Sequence, residues 1–227
     1  VNYLYTCIID NYDQLKEVSL PVGWEAICFS NTDIVSKTWK IVRIEKSDKI
    51  YREIKIRPDK FLPSHDKSVW IDGNLEFIIP FEQFVKGKDG FWLMTHPDRN
   101  CIYEEALRCI ELKKDSEEVI RKQMFFYAIN DYPKNNGLSA TGVLIRDSNI
   151  INFQFGEYWW KEIESGSIRD QLSFPYVARL HSLKFKMFPF LEGFQYHYHV
   201  PRQLVIKAKA MRRRRFKAKR VRGYDKL

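Results

Sequence analysis

Lys67-Ser68-Val69-Trp70-Ile71-Asp72-Gly73-Asn74-Leu75-Glu76-Phe77 is the stretch on which the fold turns. The run from Lys67 to Ile71 reads as a short apolar strand. It ends on Asp72-Gly73-Asn74, and a second strand-like run starts at Leu75. In open α/β sheets, ligands gather at the carboxyl ends of strands. Two oxygen-bearing side chains, two residues apart, suit a hard cation such as Mn2+ or Mg2+. Such an ion takes one or two oxygens from protein and the rest from phosphate and water. Asp72 and Asn74 are therefore candidate metal ligands. Gly73 lets the backbone turn sharply and approach a diphosphate. A plain type I′ or II′ hairpin turn is the competing reading, because Asp-Gly and Gly-Asn are common there.

Outward from this turn, strands alternate with helices. Tyr3 to Ile9, Trp24 to Phe29, Trp39 to Ile44, Phe91 to Thr95 and Thr141 to Ile145 read as strands. Asp48 to Arg57 carries Ile50, Ile54 and Ile56 among charges, as a helix with one apolar side does. Helices are also expected at Ile102 to Lys113, Glu117 to Ala128, Ile150 to Ile163 and Ser167 to Ala178, the last interrupted at Pro175. Pro133 to Gly137 reads as a loop. The segment after residue 178 is aromatic and irregular until a basic tail. This alternation predicts an α/β fold with a largely parallel sheet flanked by helices. Residues 1–200 form one domain in this reading, with 201–227 a tail or linker.

The chain has 227 residues, enough for one substantial core. Aromatics make up 15% of it, more than sugar or base stacking requires, so most of them fill the core. No run of about 18 uncharged apolar residues exists, so no transmembrane helix is expected. The N-terminus lacks a signal-peptide pattern, although a trimmed domain with a missing anchor stays open. Cys7, Cys28, Cys101 and Cys109 form no CxxC pair and read as reduced thiols of a cytosolic-type protein. The net charge of +9 is concentrated between Arg202 and Arg220. A nucleic-acid role must therefore rest on that tail alone, since the body is near neutral. The tail reads first as a linker or a contact for an anionic membrane surface, and only then as a nucleic-acid binder.

The first strand, Tyr5-Thr6-Cys7-Ile8-Ile9, delivers Asp10-Asn11-Tyr12. An Asp can bond a uracil or ribose edge, and a Tyr ring can stack on a base; a capped turn is the alternative. Arg52, Lys55 and Arg57 lie between this loop and Asp72 in sequence. Cations there would neutralise a diphosphate, or simply form a solvated helix face.

The order strand–Asp-Asn-Tyr, Cys-Phe-Ser-Asn, Arg/Lys segment, Trp-Ile-Asp-Gly-Asn resembles glycosyltransferase-A enzymes with an aspartate–any–aspartate motif. More closely it resembles a family long of unknown function. That family includes plant glycosyltransferase-like proteins of cell-wall and mucilage biology and the N-terminal glycosyltransferase domain of a chlorella virus protein. Matching pieces include Thr95-His96-Pro97-Asp98-Arg99, Ala140-Thr141-Gly142-Val143-Leu144-Ile145-Arg146 and Arg169-Asp170-Gln171-Leu172. Asn74 departs from the usual second aspartate.

The resemblance implies a metal-dependent transfer of a sugar from a nucleoside-diphosphate donor, by analogy a UDP-sugar, to a glycan hydroxyl. Thr6, Asp10, Asn11, Tyr12, Arg52, Lys55, Asp72, Gly73, His96, Arg99 and Gly142 would meet the donor. Asp170 would act as base in an inverting enzyme; in a retaining one, Asp170 and Gln171 would orient the donor. A helix N-terminal carboxylate paired with Arg169 is the bland alternative for Asp170. A late histidine is expected to complete the metal site: His199 or His197, with His181 as the alternative. An inactive sugar-binding domain is a further reading, kept alive by Asn74.

Overall fold

A computed structural model describes residues 1–197 of the chain. Its strands are β1 (Asn2–Ile8), β2 (Trp24–Ser30), β3 (Trp39–Arg43), β4 (Lys67–Ile71), β5 (Leu75–Phe77), β6 (Phe91–Thr95), β7 (Ser139–Asp147), β8 (Lys186–Phe188) and β9 (Phe194–Tyr196). Its helices are α1 (Ile50–Ile56), α2 (Pro58–Phe61), α3 (Phe81–Val85), α4 (Ile102–Glu111), α5 (Glu117–Ile129), α6 (Ile150–Ser165) and α7 (Asp170–Leu180). Seven strands form one sheet in the order β3-β2-β1-β4-β7-β6-β8, and β5 pairs separately with β9. In the large sheet only β7 runs against its neighbours, pairing antiparallel with both β4 and β6. The expected mixed, mostly parallel α/β fold is what forms.

Both faces of the sheet are covered, which is why its strands read as near-continuous apolar runs. Because successive residues of a strand point to opposite faces, Tyr5, Trp70 and Leu144 join one core, with Ile54, Ile120, Trp159 and Phe174 from the helices. Leu4, Val69 and Val143 join the other, with Phe84 of α3, Leu75 of β5 and Phe194 of β9.

Besides adding α2 and α3, and starting α7 at Asp170 rather than Ser167, the structure differs from the sequence reading at Pro175 and in the segment after residue 178. Pro175 does not interrupt α7; it sits buried inside the helix. A proline there forfeits one backbone bond, and the buried neighbours Phe174, Tyr176 and Val177 keep the helix continuous through it. The segment after residue 178 is also not wholly irregular. It contributes β8 and β9, three residues each, too short for alternation to be read.

Candidate active site

Asp72 leaves the carboxyl end of β4, and the hairpin reading of its turn fails. β4 pairs with β1 and β7, while β5 pairs with β9, so the turn joins two different sheets. The turn is closed by Leu75 N donating to Asp72 O at 3.0 Å. Gly73 is required here for space rather than for an unusual backbone angle. A Cβ on it would lie 3.0 Å from Asp13 Cβ and 3.1 Å from Ile8 Cγ1. The loop after β1 is thereby pressed against the turn. Gly142 of β7 lies behind, its carbonyl accepting from Asp72 N at 2.8 Å.

The Asp72 carboxylate is held on one side only. Oδ1 accepts from Trp70 Nε1 at 2.7 Å and from Lys55 Nζ at 3.4 Å. Oδ2 has no hydrogen-bond partner among the described residues. Its side chain is 37% exposed, and Asn74 beside it is buried. A narrow cleft opens against this turn, lined by Thr6, Leu15, Lys16, Trp39, Asp72 and Gly73 among others. The Thr6 hydroxyl, buried on that wall, has no partner among the described residues.

Beneath Asp72 lies a buried charge cluster. Lys55 is fully buried, with Nζ 2.6 Å from Asp170 Oδ2, and Arg52 Nη1 is 3.2 Å from Asp170 Oδ1. Burial alone would raise the Asp170 pKa; Arg52, Lys55 and Arg169 outweigh it and hold the carboxyl well below its usual range. Burial works against the Arg52 cation too, but Asp170 foremost overrides it. Asp170 is 1% exposed. A carboxylate so acidic and so enclosed is unsuited to taking a proton from an acceptor hydroxyl. Nor do Arg52 and Lys55 present open cations to a diphosphate; both are turned into the Asp170 pair. Gln171 follows on the first turn of α7, partly buried.

The loop after β1 makes a tight turn, Tyr12 N donating to Ile9 O at 2.9 Å with Asp10 and Asn11 at φ 54 and 52. Both central residues in the left-handed region define a type I′ turn, which Asp and Asn tolerate. Asp10 exchanges bonds with Asn31 and pairs with Lys46 at 2.6 Å; Asn11 accepts from Thr32 Oγ1. These side chains brace one another, so the capped-turn reading describes what they do here. Tyr12 is half exposed.

His96 and Arg99, at the carboxyl end of β6, are absorbed by the start of α4. His96 Nδ1 accepts from the backbone of Asp98 and Arg99, and Glu105 takes Arg99 Nε at 2.6 Å. Burial lowers the His96 pKa. Arg57, the residue that caps the end of α1, pairs with Glu53 and Glu157.

Of the candidate third ligands, His199 lies outside the described residues. His197 is near: its backbone N donates to Asn74 O at 2.7 Å, but its Nε2 is 2.6 Å from Glu76 Oε2. His181 stacks on Tyr158 at the far end of α7, an 11-residue helix ~16 Å long, and does not belong to the site. No group of three ligand side chains occurs among the described residues. The two residues Trp70 and Arg146 carry much of the geometry and had no role in the sequence reading. Trp70 had a signal: on a strand it shares a face with Asp72 two residues on.

The arrangement is that of an α/β domain with a narrow cleft against the turn that follows β4. The chain belongs to the family described as TOD1/MUCI70, glycosyltransferase-like domain, which matches residues 25–199. The resemblance to the plant glycosyltransferase-like family is thus borne out. An Arabidopsis thaliana protein named alkaline ceramidase TOD1 is 24% identical over 170 residues, covering 66% of this chain. The chain spans 37% of that relative's length. Among solved structures, the apo form of mouse xyloside xylosyltransferase 1 aligns at 8% identity and a TM-score of 0.46, covering 83% of this chain and 85% of that one. No described helix is long and apolar enough to cross a membrane.

Proposed function

We propose that this chain is a metal-dependent glycosyltransferase of the A type that moves a sugar from a nucleoside-diphosphate donor, UDP by preference, to a glycan hydroxyl. One observation carries the reading: Asp72, which lines the cleft, is fixed through Oδ1 by Trp70 and Lys55, while Oδ2 is left without a hydrogen bond among the described residues. This donor set fits Mn2+ or Mg2+, which need few protein oxygens when phosphate supplies others. When bound, the cation would neutralise the departing nucleoside diphosphate as a Lewis acid.

The protein's own groups do the rest. Asp72 and Asn74 hold the cation, and His199 is proposed as a third ligand. β9 supports that choice, because its pairing with β5 carries the chain to Asn74 at His197. The Thr6 hydroxyl and the Asp10–Tyr12 loop receive the nucleoside. Asp170 holds Arg52 and Lys55 beneath Asp72 and so fixes the ammonium that meets Asp72 Oδ1. It therefore orients charge, and with Gln171 it suits the retaining reading better than the inverting one. His96 and Arg99 support α4 and reach the donor only if their cap opens. The basic segment 202–220 is proposed as a linker or a peripheral membrane contact, with nucleic acid disfavoured by the near-neutral body.

The test is thermal stabilisation by UDP with and without Mn2+. UDP plus Mn2+ should stabilise the protein, and Asp72→Ala should abolish the effect. Equal stabilisation of the variant would remove the site. The name of the Arabidopsis relative supplies a second reading, amide hydrolysis of a ceramide. Release of a sphingoid base by this chain, insensitive to Asp72→Ala, would replace the transferase proposal.

A further inference from the structure

Arg146 of β7 is a fully enclosed arginine, 3% exposed, and no carboxylate lies within ion-pair distance of it among the described residues. Burying a cation without a counter-ion is costly. Burial lowers its pKa, opposed by Tyr5 and, from beyond ion-pair distance, by the Asp59 carboxylate. What it touches instead is the end of α1. Nη1 donates to Ile56 O at 3.0 Å, and Nη2 donates to Lys55 O at 2.6 Å and to the Tyr5 hydroxyl. The Tyr5 hydroxyl donates in turn to Lys55 O at 2.9 Å. The last carbonyls of a helix are orphan acceptors at the negative end of its dipole, so a cation is favoured there.

Two further facts make this more than a cap. Gly156 of α6 presses on the same helix end, where a Cβ would lie 2.9 Å from Ile56 O. The end of α1 is therefore gripped from two sides. And the residue whose carbonyl Arg146 holds is Lys55, whose ammonium spans Asp170 and Asp72 with no exposure at all. Moving that carbonyl moves the root of the side chain that holds Asp72 Oδ1.

We propose that Arg146, with Tyr5, is a positioning residue that sets the buried ammonium of Lys55 beneath Asp72. The proposal deepens the nucleotide-sugar reading and rests on it for its functional consequence. Its structural half stands alone. Arg146 touches neither donor nor metal; it acts through α1.

The experiment is brief acylation of the whole chain with acetic anhydride, read lysine by lysine by peptide mass spectrometry, with exposed Lys134 as internal reference. In the wild type Lys55 should be protected. In Arg146→Met, folded by circular dichroism, Lys55 acylation should rise about tenfold, the scale of one lost charge-assisted hydrogen bond. Lys134 should be unchanged and Arg146→Lys intermediate. Ile120→Val, which loosens the core elsewhere, should leave Lys55 protected. If Arg146→Met does not fold, Tyr5→Phe carries the test in the same direction with a smaller rise. Protection of Lys55 in the folded variants equal to wild type overturns the proposal, as does an equal rise at every lysine. UDP affinity in the presence of Mn2+ should fall in step with Lys55 exposure. A wild type that binds no UDP would remove the donor reading while the acylation result still decides the role of Arg146.

Discussion

The indole Nε1 of Trp70 donates to Asp72 Oδ1 at 2.7 Å, from two residues earlier on the same face of β4. The indole is buried and stacks edge-on against Tyr5 at 5.2 Å, so its direction is fixed by the core. The orientation of the one open carboxylate oxygen is thus a property of the packed sheet rather than of the turn.

Trp70→Phe removes this donor and keeps most of the ring. A hydrogen bond to a charged group is worth roughly 1.5–3 kcal/mol, so the affinity for Mn2+ in the presence of UDP should fall by about tenfold or more. Isothermal calorimetry with UDP and Mn2+ checks this. Unchanged affinity would mean that Lys55 alone orients Asp72.

Asp170→Asn should destabilise the fold by about 3–5 kcal/mol, the usual cost of stripping one partner from a buried ion pair. Lys55 and Arg52 would both lose their main counter-charge. Urea unfolding measures the change. The pH dependence follows from the direction of the shift. The folded-state pKa of Asp170 lies below the unfolded value, so its contribution is complete above the ordinary carboxylate range and is lost as pH falls below it. Stability should be insensitive to this group between pH 5 and 8. An acid limb in a pH–rate profile near neutrality, abolished by Asp170→Asn, would restore its role as a base.

The strands β4 and β6 are legible to the residue in the sequence, because each is an apolar run closed by turn residues and buried on both faces. Asp72, Gly73 and Asn74 are legible for the same reason: polar groups and a glycine at such a strand end stand out. Lys55 is different. Its spacing on α1 is that of any solvated helix face, and only the fold brings Asp170 to it from far along the chain. Nothing local separates a buried lysine from an exposed one. Arg146 had a faint signal, a charge at the inward position of β7 two residues after Leu144. Helix α7 illustrates the opposite error, where local chemistry at Pro175 was overridden by packing.

Gly73→Ala tests the contact between the turn and the β1 loop. The new methyl would meet Asp13 Cβ and Ile8 Cγ1 inside ordinary contact distance, and both lie close to backbone that cannot swing aside freely. The loop should shift, so UDP binding should weaken while the melting temperature falls only modestly. Gly142→Ala would meet the flexible ends of Leu75 and Met94 at 3.2 Å and stand at ordinary contact distance, 3.5 Å, from Asp72 Oδ2. It should cost less binding. The reverse order of the two variants would argue that the cleft is shaped from the β7 side.

Glu17 fastens the wall of the cleft. Its carboxylate accepts from Thr38 Oγ1 at 2.5 Å, Ser36 Oγ at 2.8 Å, and the backbone N of Lys37 and Thr38 at 3.1 Å each. Trp39 Nε1 adds a bond to Lys16 O at 2.7 Å. Glu17→Gln leaves one acceptor oxygen and turns an amide against N–H donors. Hydrogen exchange across residues 13–20 should therefore quicken, with little change in global stability for so exposed a residue. The bonds from Thr38, Lys37 and Ser36 lower the Glu17 pKa to about 2. A depressed carboxyl contributes above its unfolded value and is lost only as pH falls through the folded one. The latch should hold from neutrality down past pH 4 and release near pH 2, beyond the spontaneous pH dependence of exchange itself. Release at pH 5 to 6 would show that another group closes the loop.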